Sequence, residues 1–160
     1  MIPEDFHLRS MYTPDAWFIH DLRIEPEHRR VVGICDTTRL GALVDAQRPW
    51  PGHEKHVPGA VSIQITGTLG QLLSNYLLDM SSLEGWVGYG THIHFARFQS
   101  LGKIGPPMEC AATLLKKRSF RGTVFTRLEF EFTQEGRRCY HSEQTAAWIQ
   151  SDHRGPCPEG

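Results

Sequence analysis

The strongest hydrophobic pattern of the chain lies in its middle, between Lys55 and Met80. Large apolar side chains recur there at i, i+3, i+4, i+7, i+8 and i+11, which is the spacing of one helix face. These residues are Leu69, Leu72, Leu73, Tyr76, Leu77 and Met80. Val61, Ile63 and Ile65 extend the apolar character around more of the circumference. The pattern predicts one long helix that is enclosed on several sides.

Strand-like alternation of polar and apolar residues fills most of the chain after this helix. Residues 88–98, 108–120, 123–134 and 138–149 each show a period of two. The Glu135-Gly136 pair is typical of a tight hairpin connection between the last two of these stretches. Earlier in the chain, residues 17–24 and 29–38 predict a further hairpin.

This order of elements predicts an α+β fold with one long central helix wrapped by a curved antiparallel sheet. Only one helix is available to cover one face of a long sheet, so the sheet has to curl around it. At 160 residues the chain is of single-domain length. We therefore expect one domain over residues 1–160, with its core at about 14–150 and a disordered tail at 151–160.

Glycine interrupts the predicted helix at Gly67 and Gly70. Each costs about 1 kcal/mol relative to alanine in a helix interior. We expect that they allow the backbone of the sheet to approach the helix closely. Before the helix, residues 39–58 are rich in Gly and Pro without periodicity, which predicts a long loop, and such loops tend to be functional.

Charge and composition remove several classes of function. The 17 basic and 18 acidic side chains nearly balance, so the chain has no overall field to attract nucleic acid or an anionic membrane. No apolar stretch has the length of a signal-peptide core or a transmembrane helix, and we expect a soluble, cytoplasmic protein.

The metal-ligating residue types are scattered. Cys35, Cys110, Cys139 and Cys157 lack the close pairs of a zinc site or redox motif, and we expect reduced thiols, three of them in strands. His92 and His94 would share one strand face, but no third ligand is identifiable. We expect neither a metal nor a cofactor.

The clearest candidate chemistry is at the predicted start of the helix. Pro58-Gly59 leaves backbone N–H groups unpaired there, and the helix dipole adds partial positive charge, which suits a carbonyl oxygen that gains negative charge. His56 is placed to move a proton nearby, unless it is a loop histidine with only local hydrogen bonds. Gln64 either contacts ligand or is a core amide bonded to neighbouring backbone. His53 lies close by in the same loop.

Two other groups of residues are candidates for substrate binding. Lys116, Lys117 and Arg118 form a basic cluster that could receive a coenzyme A phosphate or an acidic carrier-protein surface, or be a solvated strand end. Trp86 and Tyr89, within GWVGYG, could line an acyl channel or pack in the core.

The stretch HVPGAVSIQI, followed by the hydrophobic helix with strands before and after it, resembles the hotdog superfamily. Within it, the motif is similar to the β-hydroxyacyl-acyl-carrier-protein dehydratases and the related A-factor biosynthesis proteins. The resemblance in element order spans about residues 14–150, and the sharp motif covers about ten residues. It implies a homodimer or an assembly of dimers, with the site between two subunits, next to Pro58, and the Gly59 N–H polarising an acyl carbonyl.

The sequence departs from this dehydratase pattern at two positions. The acidic residue of the family falls on Gln64, which cannot transfer a proton as a carboxyl group does. The dehydratase histidine falls on Pro49 if one inserted residue is allowed. The A-factor pattern retains His56 but again expects glutamate at Gln64.

The resemblance therefore implies an enzyme of fatty acid or polyketide metabolism that acts on an acyl thioester of acyl carrier protein or coenzyme A. Its site is dehydratase-like, with the acid replaced by Gln64. A hotdog acyl thioesterase is the alternative, because water attacks a polarised thioester without help from a carboxylate. A non-catalytic protein that binds acyl groups or serves in assembly is the third hypothesis.

Overall fold

The computed structural model describes residues 1–152 and 154–156. Its six strands are β1 (Asp21–Glu25), β2 (Arg30–Cys35), β3 (Trp86–Phe98), β4 (Met108–Phe120), β5 (Thr123–Gln134) and β6 (Arg137–Gln150). The α-helices are α1 (Phe6–Arg9), α2 (Ala42–Asp45) and α3 (Gly59–Leu77). Short 3₁₀ helices occupy Pro14–Ala16, Pro26–His28, Thr37–Arg39 and Ser82–Glu84.

All six strands form one antiparallel sheet in the order β1-β2-β4-β5-β6-β3. The chain leaves β2, passes through α3 and joins the opposite edge of the sheet as β3. The helix packs on one face of this sheet, with contacts to β2, β4 and β3. The predicted arrangement of one long helix and a wrapping antiparallel sheet is confirmed.

Helix α3 is the centre of the hydrophobic core. Leu69, Leu72 and Leu73 are each no more than 1% exposed, as their spacing predicts. They pack in one cluster with residues from β2, β4, β5 and β6. At 1.5 Å per residue the 19-residue helix is about 28 Å long, so its two ends lie in different parts of the molecule.

The hairpin before the helix is shorter than predicted. Strand β1 begins only at Asp21, and Phe18, within the predicted strand, has a φ of 55°, which lies outside the strand region. Strand β2 ends at Cys35, where the Asp36 side chain accepts a hydrogen bond from the Thr38 N–H at 3.0 Å and caps a 3₁₀ helix.

The packing role predicted for the helix glycines is wrong for Gly67. A Cβ added at Gly67 would meet nothing within 4 Å, and one at Gly70 would make only an ordinary contact with Leu128 at 3.8 Å. Close approach occurs in the sheet instead. A Cβ at Gly88 would lie 2.3 Å from the Trp148 ring, and one at Gly33 would lie 2.8 Å from Ile19. The α3 face around Gly67 is open in the single chain.

Three of the four cysteines lie in strands, as the sequence predicts. Cys35, Cys110 and Cys139 are free, buried thiols on β2, β4 and β6, whereas Cys157 lies outside the described residues. Part of the predicted disordered tail also lies outside them. In the described part of the tail, the N–H groups of Ser151 and Gly155 donate to the carbonyls of Gly85 and Leu83 at 2.8 and 2.9 Å.

Candidate functional site

The start of α3 presents unpaired backbone N–H groups. The Pro58 carbonyl accepts from the N–H groups of Val61 at 3.0 Å and Ser62 at 3.4 Å. Within the part of the chain that the structure describes, the N–H groups of Gly59 and Ala60 have no hydrogen-bond partner, and no side chain caps the helix. Together with the helix dipole they make this end attractive to an oxygen that carries negative charge.

His56 is held beside the helix start by its own backbone. The Gln47 side chain donates from Nε2 to the His56 carbonyl at 2.7 Å, and the His56 N–H donates to Gln47 Oε1 at 3.1 Å. The next residue, Val57, donates its N–H to the Gly102 carbonyl at 2.8 Å. The loop backbone is therefore fixed, and the half-buried imidazole is oriented with Nδ1 at 3.3 Å from the Glu54 carbonyl.

A second amide clamp holds the loop that faces His56. The buried Gln134 side chain accepts from the Lys103 N–H at 2.8 Å and donates to the carbonyls of Lys103 and Pro106 at 2.9 and 2.7 Å. Thr37 adds a bond from its hydroxyl to the same Pro106 carbonyl at 2.9 Å. The segment after β3 is thus a fixed wall of the site.

These two walls enclose a cavity of about 370 Å³ at the start of α3. Its lining is largely apolar, and its polar groups include His56, Ser62 and Ser100. Gly59 opens onto the cavity as well. No carboxylate belongs to this lining among the described residues. The arrangement can polarise a carbonyl oxygen and accept a proton, but it lacks a carboxylic acid.

Phe98, at the end of β3, covers the glycine at the helix start. A Cβ added to Gly59 would lie 3.1 Å from the Phe98 ring, so a larger residue there would require this ring to shift slightly. The Phe98 ring packs on Tyr140 at 5.1 Å between centroids, yet Phe98 remains 57% exposed. An aromatic side chain thus lies beside the Cα of Gly59 at the helix start and forms part of the cavity lining.

Gln64 lies outside this cavity. Its Nε2 donates to the Ala16 carbonyl at 3.3 Å, and the residue is half-buried. Gln64 is not part of the cavity lining, whereas Ser62 is. The sequence leaves two alternatives for Gln64, contact with a ligand or a hydrogen bond to neighbouring backbone. The contact with Ala16 matches the second alternative.

Other residues proposed for substrate binding lie at the opposite end of the helix. Lys117 Nζ donates to the carbonyl of Leu78, the residue after α3, at 3.3 Å. Its neighbours Lys116 and Arg118 are exposed on the same end of β4. Trp86 lines a different cavity of about 350 Å³, and Tyr89 is 56% exposed on β3. Within one chain, about 28 Å of helix separates this group from Gly59.

Pro58 and His53 lie outside the lining of the inner cavity, close to the start of α3. Pro58 is the N-cap of α3, with the extended φ and ψ of −63° and 143°. His53 is exposed and lines an outer groove that also includes His56. It does not belong to the lining of the inner cavity.

Among the described residues, no group of three or more His, Cys, Asp or Glu side chains could hold a metal ion. The rings of His92 and His94 stack at 6.1 Å between centroids, and His94 Nε2 lies 2.7 Å from the Thr145 hydroxyl. Burial raises the pKa of Cys35 to about 12 and that of Cys110 well above its usual range, so both remain protonated thiols.

Several residues of the site have no clear signal in the sequence. Phe98 and Ser100 lie at and beyond the end of a predicted strand, and their approach to the helix start depends on the path of the following loop. Gln47 and Gln134 are polar residues whose partners lie 9 and 31 positions away. Ser62 alone could have been found, because it follows Gly59 by three positions and shares its helix face.

Comparison with known proteins gives structural matches only. No protein-family model matches the chain, and no curated protein matches its sequence. The ApeI:P dehydratase heterocomplex from Xenorhabdus doucetiae superimposes with a TM-score of 0.65 at 14% identity, covering 95% of this chain and 93% of that one.

Two thioesterase structures are also similar. A hypothetical thioesterase with coenzyme A from Streptococcus pneumoniae TIGR4 has a TM-score of 0.60 at 14% identity and covers 92% and 97% of the two chains. A thioesterase from Haemophilus influenzae has a TM-score of 0.60 at 17% identity and covers 96% of each chain. At such identities the likeness establishes a shared fold over nearly the whole chain.

Proposed function

This chain has the hotdog fold, and we propose that it is an enzyme that hydrolyses an acyl thioester at the start of α3. The substrate carbonyl oxygen is bound by the Gly59 N–H. The observation that carries the proposal is the unpaired N–H group of Gly59, a residue that lines a cavity together with His56.

The proposed reaction needs no group that the cavity lacks. Water attacks the carbonyl carbon while the His56 imidazole accepts its proton, and the oxyanion of the tetrahedral intermediate is stabilised by the Gly59 N–H. The intermediate then expels the thiolate, which takes the proton from the imidazolium. One thioester and one water give one carboxylic acid and one thiol.

The local hydrogen bonds support this role for His56. With its proton on Nδ1, the ring donates toward the Glu54 carbonyl at 3.3 Å, which leaves Nε2 free to accept a proton from water. Because Gln47 and Gly102 hold the adjoining backbone, the point of the chain from which the ring extends is fixed by the fold. Ser62 offers a hydroxyl to orient the water, and Ser100, whose hydroxyl donates to the Arg138 carbonyl at 2.8 Å, can accept a hydrogen bond from it.

Hydration or dehydration of the acyl chain is the second candidate, favoured by the Pro58-Gly59 motif with His56. It needs an acid as well as a base. The lining of the cavity contains no carboxylate among the described residues, and Gln64 donates to Ala16 instead of facing the cavity. These two observations favour hydrolysis. A non-catalytic acyl-binding protein would use the same cavity without turnover.

We further propose that two chains associate through β3. This strand lies at the edge of the sheet, is 13 residues long and is exposed along most of its length. Ile93 and Phe98 on β3 are 53% and 57% exposed, and Ile63 on α3 is 43% exposed. A long, exposed edge strand that carries apolar side chains is a template for pairing with another chain. Association would also cover the open face around Gly67.

The nature of the carrier and the cellular location belong to the same proposal. We propose a thioester of coenzyme A or of an acyl carrier protein as the substrate, in the cytoplasm. None of the described helices combines the length and the apolar character needed to cross a membrane.

Intact mass spectrometry tests the proposed reaction. The purified protein is incubated with saturated, 3-hydroxyacyl and 2-enoyl thioesters on coenzyme A, pantetheine and carrier protein. Hydrolysis predicts free acid and free thiol. A mass change of one water, with the acyl chain still attached to its carrier, would show hydration or dehydration and contradict hydrolysis. Binding without any change of mass would mean that the protein is not an enzyme for these substrates.

Sedimentation equilibrium tests the proposed association. The wild-type chain is expected to sediment as a dimer, and Ile93→Asp as a monomer, because a buried charge at the paired edge has no partner. Leu8→Asp, at an exposed position on α1, is the matched control and should leave the dimer intact. A monomeric wild-type chain would overturn the proposed pairing.

A further inference from the structure

An outer groove of about 700 Å³ adjoins the cavity at the start of α3. The two share His56, Ser100, Leu101 and Gly102, so a ligand lying in the groove can extend into the cavity along these residues. The volume is in the range of small-molecule sites, and it is larger than an acyl thioester group needs. The groove is therefore placed to hold the part of a substrate that remains outside the cavity.

Three cationic side chains line this groove. They are Lys55, Lys103 and Arg137, and they face a single carboxylate of the lining, that of Glu54. Arg137 forms no ion pair within the described part of the chain, unlike its neighbour Arg138, which pairs with Glu131 at 2.5 Å. Arg137 is thus free to bind a ligand anion.

The two lysines have only weak partners. Lys103 Nζ lies 3.5 Å from Glu135, and both side chains are more than half exposed, so this pair contributes little. Lys55 Nζ donates only to the Asp45 carbonyl at 3.1 Å. The groove as a whole carries a positive field that suits phosphate groups.

An exposed indole completes the groove. Trp50 is 71% exposed, although a side chain of this size is usually largely buried. It stands between Pro49 and Pro51 in a turn closed by hydrogen bonds of 2.7 and 3.1 Å between the Trp50 and His53 backbones. The two prolines and the closed turn restrict the loop, so the ring is presented to solvent at little entropic cost.

We propose that this groove binds the nucleotide end of a coenzyme A-type substrate. The purine stacks on Trp50, and the phosphates bind Lys55, Lys103 and Arg137. The pantetheine arm then passes Ser100 and Gly102 into the cavity. This inference rests on the proposed function, since it assigns the carrier of the acyl group. It replaces the distant cluster of Lys116, Lys117 and Arg118 as the phosphate site.

The shape of the groove distinguishes a nucleotide from an acidic carrier protein. A carrier protein would dock on a broad charged surface, whereas these cations line a concavity with an aromatic ring at its rim. Stacking on an aromatic side chain and phosphate contacts are the two interactions that an adenine nucleotide offers.

Isothermal titration calorimetry with adenosine 3′,5′-bisphosphate tests the inference without requiring turnover. The wild-type protein is expected to bind this probe. Trp50→Ala should weaken binding about tenfold or more, and Trp50→Phe should restore most of the loss, because stacking on an aromatic ring contributes about 1–3 kcal/mol per base. Arg137→Ala should weaken binding several-fold at low salt and less at high salt.

Arg118→Ala is the discriminating variant. It removes an exposed arginine of the distant cluster and should leave the affinity for the bisphosphate unchanged. Absence of bisphosphate binding, or a loss in Arg118→Ala but not in Arg137→Ala, would overturn the inference. Tight binding of an acidic carrier protein that depends on Arg137 while the bisphosphate does not bind would also overturn it.

The same experiments separate this inference from the proposed function. Bisphosphate binding that depends on Trp50 and Arg137, without turnover of any thioester, would support the nucleotide site and contradict the proposed enzymatic function. Hydrolysis of pantetheine and carrier-protein thioesters without bisphosphate binding would support the proposed enzymatic function and contradict the nucleotide site.

Discussion

The two ends of α3 differ in how their backbone polar groups are satisfied. At the start, the Gly59 and Ala60 N–H groups have no partner among the described residues, and Gly59 lines a cavity. Near the end, the Leu78 carbonyl accepts from Lys117 Nζ at 3.3 Å, and the Ser74 carbonyl accepts from the Met80 N–H at 3.1 Å.

Side chains around the helix end continue this contrast. The Tyr76 hydroxyl donates to Asp5 at 2.8 Å, and Arg9 pairs with the same carboxylate at 2.6 Å. The end of the helix is therefore closed by contacts within the chain, whereas its start is left open. The comparison teaches that a single buried helix can supply stability at one terminus and a binding site at the other.

Loss of the imidazole at the open end is expected to have the largest effect. His56→Ala should lower kcat about 10²- to 10⁴-fold, because it removes the proposed base. Steady-state hydrolysis of the best thioester measures this. His28→Ala, a substitution at an exposed histidine on the 3₁₀ helix Pro26–His28, is the control. Retention of full activity by His56→Ala would remove His56 from the mechanism.

Loss of one N–H at the helix start should have the next largest effect. Gly59→Pro removes the N–H at the first helical position, where proline is tolerated, and Pro58 already has the extended angles that a following proline requires. We expect kcat to fall about 10²- to 10³-fold.

Gly59→Ala is the matched control for this substitution. It adds the same Cβ near Phe98 but keeps the N–H, so its loss of kcat should be smaller than that of Gly59→Pro. Circular dichroism confirms that both variants fold. Equal losses in the two variants would assign the effect to the Phe98 contact and not to the N–H.

Gln64 should matter for stability more than for catalysis. Gln64→Ala removes its hydrogen bond to Ala16 and should lower the free energy of unfolding by about 0.5–1.5 kcal/mol in urea titrations, with kcat changed less than about threefold. Gln64→Glu should be less stable still, because a carboxylate would face the Ala16 carbonyl. Dehydratase activity in Gln64→Glu would show that position 64 reaches a substrate.

The closed end of α3 gives the smallest effect, and it depends on pH. The hydrogen bond from Tyr76, with the Arg9 pair, holds the pKa of Asp5 below its usual value of 3.8. Its contribution is therefore present at neutral pH and is lost as the pH falls through the folded-state pKa.

Asp5→Asn tests this contribution. At pH 7 the variant should be less stable than the wild type by less than about 1 kcal/mol, since Asp5 is partly exposed. The difference should vanish on acidification, with no change in kcat at neutral pH. A difference that persists in acid would indicate a contribution other than the charge of Asp5.

The contrast between the two ends was only partly visible in the sequence. Periodicity located the buried stripe of α3, and alternation gave β4 and β5 with the bounds that the structure shows, because both patterns are local. Pro58-Gly59 identified the open end for the same reason. The sequence alone could not decide whether Lys117 and Trp86 lie near the start of the helix, since this depends on which end of the sheet lies beside which end of the helix.

Two further features were out of reach for physical reasons. The clamps by Gln47 and Gln134 join segments whose proximity is set by loop paths, so neither periodicity nor composition reveals them. The sequence predicts a packing role for Gly67 within the chain, but the helix face around Gly67 is open. Glycines in a helix sequence indicate that a neighbouring group can approach closely, but they do not identify that group.

Infrared spectroscopy of a bound, non-hydrolysable ketone analogue of an acyl coenzyme A, labelled with ¹³C at the carbonyl, tests the central claim most directly. If the Gly59 N–H polarises the carbonyl, its stretching band moves to lower wavenumber on binding to the wild type and to Gly59→Ala, and this shift is lost in Gly59→Pro. An analogue that binds with an unshifted carbonyl band, or with the same shift in Gly59→Pro, would contradict the claim.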